Sequence, residues 1–115
     1  MPSDTEFKSK GLAGARPTKA LELVDYQEGA VVSRELVKKP NCTVMVYALD
    51  TGLGLNENIS PFNALVQVLE GEAVIMIAGH HHRLHAGGLI LAPANQPHAL
   101  KAIKRAKLLL TMIRS

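Results

Sequence analysis

The sequence has no tryptophan, two phenylalanines, two tyrosines and one cysteine, Cys42, in 115 residues. Four rings cannot build the aromatic platform on which single-stranded nucleic acid stacks, and they leave the core to Val, Leu, Ile, Ala and four Met. A lone cysteine excludes an internal disulfide and a cysteine-based zinc site, and it fits a reducing compartment. Long apolar runs are missing too. Stretches such as 73–78 fall far short of the roughly 20 residues of a membrane helix. The opening MPSDTEFKSKGLAGARPTK lacks the apolar centre of a signal peptide. These absences set the expectation of a cytoplasmic protein with neither membrane nor nucleic-acid partner.

Strong charge of one sign is also missing, the formal net charge being +3. Its distribution is uneven. Residues 59–115 carry Arg83, Lys101, Lys104, Arg105, Lys107 and Arg114 against Glu70 and Glu72. Four of these bases lie within 101–107, but no nucleic-acid motif accompanies them, so they read as a solvated strand-and-turn face.

What is present is a β pattern. With 47% hydrophobic and 20% charged residues the chain has the composition of a folded domain. Residues 1–20, polar and rich in Gly, Pro and Lys, read as a flexible arm ahead of one domain over 21–115. Short Val- and Ile-rich stretches punctuated by Gly, Pro and Asn predict strands at 21–24, 31–37, 42–49, 64–69, 73–78, 82–85, 89–92, 98–102 and 107–113. Nine short strands without a helical period predict an all-β antiparallel sandwich or barrel. Turns are expected at Lys38-Lys39-Pro40-Asn41, Glu70-Gly71-Glu72, Ala78-Gly79-His80-His81 and Ala86-Gly87-Gly88. The runs Ala64-Leu65-Val66-Gln67-Val68-Leu69 and Ala73-Val74-Ile75-Met76-Ile77 are apolar on both faces. One face would fill a barrel and the other would be covered, which points to a homodimer.

Two stretches at fixed spacing carry a resemblance. Gly52 is followed by Asn58, Ser60, Ala64 and Gly71, and Gly87 by Pro93, Asn95, His98 and Ala102. These spacings, with the phrase Val68-Leu69-Glu70-Gly71-Glu72, resemble the two motifs of the cupin (RmlC-like) superfamily, and the closest likeness is to small single-domain bacterial cupins. The resemblance covers about residues 25–114 and implies an antiparallel jelly-roll β-barrel. Asn95 stands where the family has Gly, and Asn tolerates the left-handed backbone such a position requires. In metal-binding cupins the first motif supplies two His and a Glu and the second a His. Here the first three positions are Asn58, Ser60 and Ala64, and only His98 remains. With the alternative spacing, Glu57 and Ile59 take the two His positions. A first-row divalent ion wants three or four good donors, so the expected cofactor is none, or at most a weakly held divalent transition metal on His98.

The resemblance places His98 at a barrel mouth, a lone imidazole above an apolar lumen able to take or give a proton. Asn58, Glu57 and Phe62 are expected to line the same ligand site, with Ser60 and Asn63 as ordinary loop residues. Strand alternation puts Gln67 with Leu65 and Leu69, opposite Ala64, leaving ligand pocket and dimer contact both open for its amide. His80-His81-His82 alternate sides of a strand, so they do not converge on one ion, and they are expected at a hairpin tip away from the mouth. His85 reads as a packing or surface residue and Cys42 as a small core residue. The resulting expectation is a binder of a small organic molecule. The alternatives are a cupin enzyme using His98, oxygenase- or isomerase-like, and a ligand-sensing module. No catalytic residue is assigned.

Overall fold

The computed structural model describes residues 12–114, and the part of the expected arm at residues 1–11 lies outside the described residues. After a 3-10 turn at Ala20–Glu22 come seven strands: β1 (Val31–Lys39), β2 (Cys42–Leu49), β3 (Gly54–Asn58), β4 (Asn63–Ile77), β5 (His80–His85), β6 (Leu89–Ala92) and β7 (His98–Ile113). All pair antiparallel. The ladder runs β1-β2-β7-β4-β5, with β3 beside β7 and β6 beside β4.

Strands β4 and β7 pair along nearly their whole lengths and serve two layers. Their outer halves, β4 at 64–67 and β7 at 106–113, pair with β6 and β2, giving a layer β1-β2-β7-β4-β6. Their other halves pair with β5 and β3, giving β3-β7-β4-β5. This is the jelly-roll arrangement, with the ladder left open at its edges instead of closed into a ring. The change of layer falls at Gly71. There φ is +83° and the register against β7 slips repeatedly between Val68 and Ala73. The expected turn at Glu70-Gly71-Glu72 is therefore a bend inside one strand. Gly71 supplies the positive φ foreseen for it, but the chain continues instead of reversing. Likewise 98–102 and 107–113 are one strand, because charged residues at 104, 105 and 107 can face solvent without breaking a ladder.

Two further expectations change. Residues 21–24 form no strand: Leu23, Val24 and Tyr26 lie against Leu36, Val46, Ala48, Leu69 and Leu109 and cover part of the outer face of the first layer. Strand β3, Gly-Leu-Asn-Glu-Asn, was not expected, because it has no apolar alternation to betray it.

Alternation along the strands builds the interior. Leu49, Ala64, Val66, Val68, Ala73, Ile75, Ile77, Ala92, Leu100, Ala102, Ala106, Leu108 and Leu110 form one buried cluster, entirely aliphatic. The bend is clasped from outside. Arg105 Nε donates to Asp50 Oδ1 at 2.9 Å, and the Gly29 N–H donates to Asp50 Oδ2 at 2.7 Å. The Gly29 amide, then Arg105 and the Thr51 amide, lower the Asp50 carboxyl to about 2. Tyr26 donates to Glu70 Oε2 at 2.8 Å beneath the cations of Arg105 and Lys107, and Lys107 Nζ donates to the Leu21 carbonyl at 2.6 Å. Burial and the Glu70 carboxylate hold the Tyr26 hydroxyl protonated well beyond its usual range. Two of the four clustered bases at 101–107 thus fasten residues 21–29 to the sheet, while Lys101 and Lys104 are exposed.

Candidate functional site

His98 opens β7 directly after Pro97. It shares a strand face with Leu100 and Ala102, both in the interior cluster, so its side chain lies on the lumen side at the rim. Its cross-strand partners are Ile77 on β4 and Asn58 on β3. Asn58 reaches that position through a bulge. Leu55 pairs with Leu100 and Asn58 with His98, three residues on β3 against two on β7. The extra residue turns Asn58 onto the face of Leu55, which an uninterrupted strand would not do. Directly opposed antiparallel residues hold their Cβ atoms about 5 Å apart, so the two side chains leave the sheet as neighbours, with Asn58 exposed. His98 Nδ1 lies 3.4 Å from the Gln96 carbonyl, an arrangement that favours the proton on Nδ1 and leaves Nε2 as the acceptor nitrogen of the neutral ring.

The surrounding loops are tied into a lip. Ser60 is 8% exposed; its Oγ accepts the Phe62 N–H at 3.0 Å, and its carbonyl accepts the Asn95 N–H at 2.7 Å. Asn63 Oδ1 accepts the Ala94 N–H at 2.9 Å. Asn95 has φ +66°, the left-handed conformation expected of it. Phe62 is half-buried with the Arg114 guanidinium 5.4 Å from its ring centre. Glu57 is exposed on the bulge beside Asn58.

Two sequence expectations change here. Gln67 pairs with Leu89 and Leu109 on the outer face, opposite the interior Val66 and Val68, so it does not join the group around His98. The histidines after Gly79 are not remote from the mouth. His80 pairs with Ile77, the residue that also pairs with His98, and stands in the same cross-strand row. Their alternation holds as expected: His80 and His82 share the face of Leu84, which packs on the interior, while His81 lines an outer groove with Val74, Met76, Arg83, Lys101 and Ile103. His85 Nε2 is 3.7 Å from Glu72, whose carboxylate Arg83 Nε meets at 2.8 Å. Cys42 is half-buried opposite Ile113. Sequence reasoning missed the place of His80 because it depends on the long-range register between β4 and β7, of which a two-residue hairpin carries no trace.

The donor set does not fit a resident metal. Of the family's four ligand positions, Ala64 is wholly buried with no donor, and the Ser60 hydroxyl is occupied by the Phe62 amide. Only an amide and one imidazole remain. Among the described residues no group of three or more His, Cys, Asp or Glu is placed to hold a metal ion.

Comparison with known proteins places this geometry. The chain is similar to a conserved Streptococcus pyogenes protein of unknown function, at TM-score 0.87 and 29% identity over 92% of this chain and 93% of the other. A cupin superfamily protein of Desulfitobacterium hafniense matches at TM-score 0.85 and 24% identity, covering 92% and 97%. A cupin 2 conserved barrel domain protein of Leptotrichia buccalis is 36% identical at TM-score 0.79, over 82% of this chain and 46% of that one. No curated protein matches. The family model described as the cupin domain matches residues 54–113, the span from β3 and its bulge to the end of β7, and the chain therefore belongs to the cupin family.

Proposed function

We propose that this cupin binds a small organic molecule at the rim of its aliphatic lumen, with His98 and Asn58 orienting the polar end and no tightly held metal. The observation that carries this reading is the direct pairing of Asn58 with His98 on the lumen face, above a cluster without a polar side chain. Such a site is apolar with a few convergent polar groups, the usual make-up of a small-molecule pocket. Native mass spectrometry and metal analysis of protein purified without an affinity tag test it. The expected result is a bound organic mass with far less than one metal per chain, and loss of that mass in His98→Ala. Stoichiometric metal that disappears with His98→Ala would overturn the reading in favour of a metal-dependent enzyme.

The outer face of the first layer supports a second copy of the chain as partner. Leu91, Leu65, Thr111, Val44 and Val37 form one cross-strand row over five strands, and none is charged. Leu89 and Leu91 are 56% and 53% exposed. Residues 21–26 cover the adjoining part of this face, and the contacts of Tyr26 and Lys107 hold them there. In the next row Gln67 lies between Leu89 and Leu109, and among the described residues no hydrogen bond engages its amide. An amide carries both donor and acceptor, so a two-fold axis beside Gln67 lets the same group on each copy satisfy the other. The Leu91–Val37 row carries no charge, which suits it to a like apolar row better than to a strongly charged partner. Sedimentation at micromolar concentration is expected to return the dimer mass, and Leu91→Lys and Gln67→Glu the monomer mass with an unchanged β circular-dichroism spectrum. A monomeric parent protein, or two dimeric variants, would refute this interface.

A further inference from the structure

The site described above has one imidazole, yet the sheet carries another on the same rim. Across β3-β7-β4-β5 runs a single row: Asn58, His98, Ile77, His80. Opposed residues of antiparallel strands project from the same face, and Ile77 belongs to the interior cluster, so both histidines rise on the lumen side. They flank Ile77 one strand to either side, which sets their backbones about 10 Å apart. The spacing is rigid. Ala78 and Gly79, at φ +49° and +83°, make the tight hairpin that fixes His80 opposite Ile77. The Ala78 N–H donates to the Pro97 carbonyl at 2.8 Å, tying that hairpin to the residue before His98.

We propose that His80 is a second anchor of this site, and that its ligand is a short molecule with a carboxylate at each end. One end meets His98 and Asn58, the other meets His80, and the apolar linker lies over Ile77. The Asn58 amide N–H donates to the near carboxylate, and His98, whose Nδ1–H faces the Gln96 carbonyl, adds an Nε2–H when protonated; His80 donates a ring N–H to the far carboxylate whether neutral or protonated. Opposing carboxylates are few. Glu57 sits on the β3 bulge, while Glu72 belongs to the outer face, where Arg83 engages it. A ligand with one charged end would leave His80 idle, and a long apolar ligand would leave its second end without a partner.

The inference rests on the binding reading above, and its test separates the two. Isothermal titration calorimetry would compare succinate, glutarate and adipate with butyrate. The best dicarboxylate is expected to bind about tenfold tighter than butyrate, a difference of about 1.4 kcal/mol. His80→Ala is expected to abolish that preference. His81→Ala, on the opposite face, is expected to keep it. His80 is exposed, so its truncation leaves the packed interior intact. A parent protein without the preference, or a His80→Ala variant that retains it, overturns the second anchor. Should no acid bind while native mass spectrometry still shows an organic mass that depends on His98, the dicarboxylate assignment falls and the binding reading survives; with neither, both fall.

Discussion

Gly71→Ala should leave almost no folded protein. Two effects coincide at this residue. Its φ of +83° lies in the left-handed region, where a side chain costs about 1–2 kcal/mol. A Cβ there would also overlap the Arg105 carbonyl group and the Ala106 Cα of the adjoining strand. Those atoms are backbone in the middle of β7, held by the pairing of Lys104 and Lys107 with β4 and of Ala106 with β2, and cannot swing aside as a flexible side chain would. The combined loss should exceed about 4 kcal/mol, a large part of the stability of a domain this size. Soluble yield and the urea midpoint measure it. Gly79→Ala is the control: φ is also +83° there, but nothing lies within 4 Å of the added atom, so only the conformational part should appear, about 1–2 kcal/mol. Equal effects at the two positions would mean that the close approach of β4 and β7 at the bend is not as described.

Asn58→His should turn the rim into a metal chelate. The substitution sets two imidazoles directly opposite each other on one face, close enough for both to reach one zinc or nickel ion. The expected gain in zinc affinity is about a hundredfold, or about 2.7 kcal/mol, read by calorimetry and as a zinc-dependent rise in melting temperature. Adding His98→Ala should abolish the gain, which distinguishes it from weak capture by the exposed histidines of β5. No gain would mean that the β3 bulge does not bring residue 58 to the lumen face.

How far the residues themselves disclosed this arrangement depended on the range of the information needed. Strands β2 and β6 lie where hydrophobic runs and flanking turns predict them, because a buried strand advertises itself locally. The left-handed backbone of Asn95 and the outward face of Gln67 follow from turn chemistry and simple alternation. Gly71 is different. A glycine between two acids looks the same whether the chain reverses or merely bends, and what decides it is the Arg105 strand passing against its Cα. Strand β3 is polar and owes its existence to pairing with β7 and to Leu55 reaching the interior. The candidate site was legible in part: motif spacing singled out His98 and Asn58, while the bulge that pairs them and the register that sets His80 in the same row are properties of distant strands.

The doubled role of β4 and β7 has a consequence for how the molecule comes apart. Because the same two ribbons are threaded through both layers, neither layer can melt and leave its neighbour standing. Amide protons at the His98 end and at the Thr111 end of β7 should therefore exchange with solvent through one shared global opening, and a protease should find no hinge at which to trim the barrel into a smaller surviving piece.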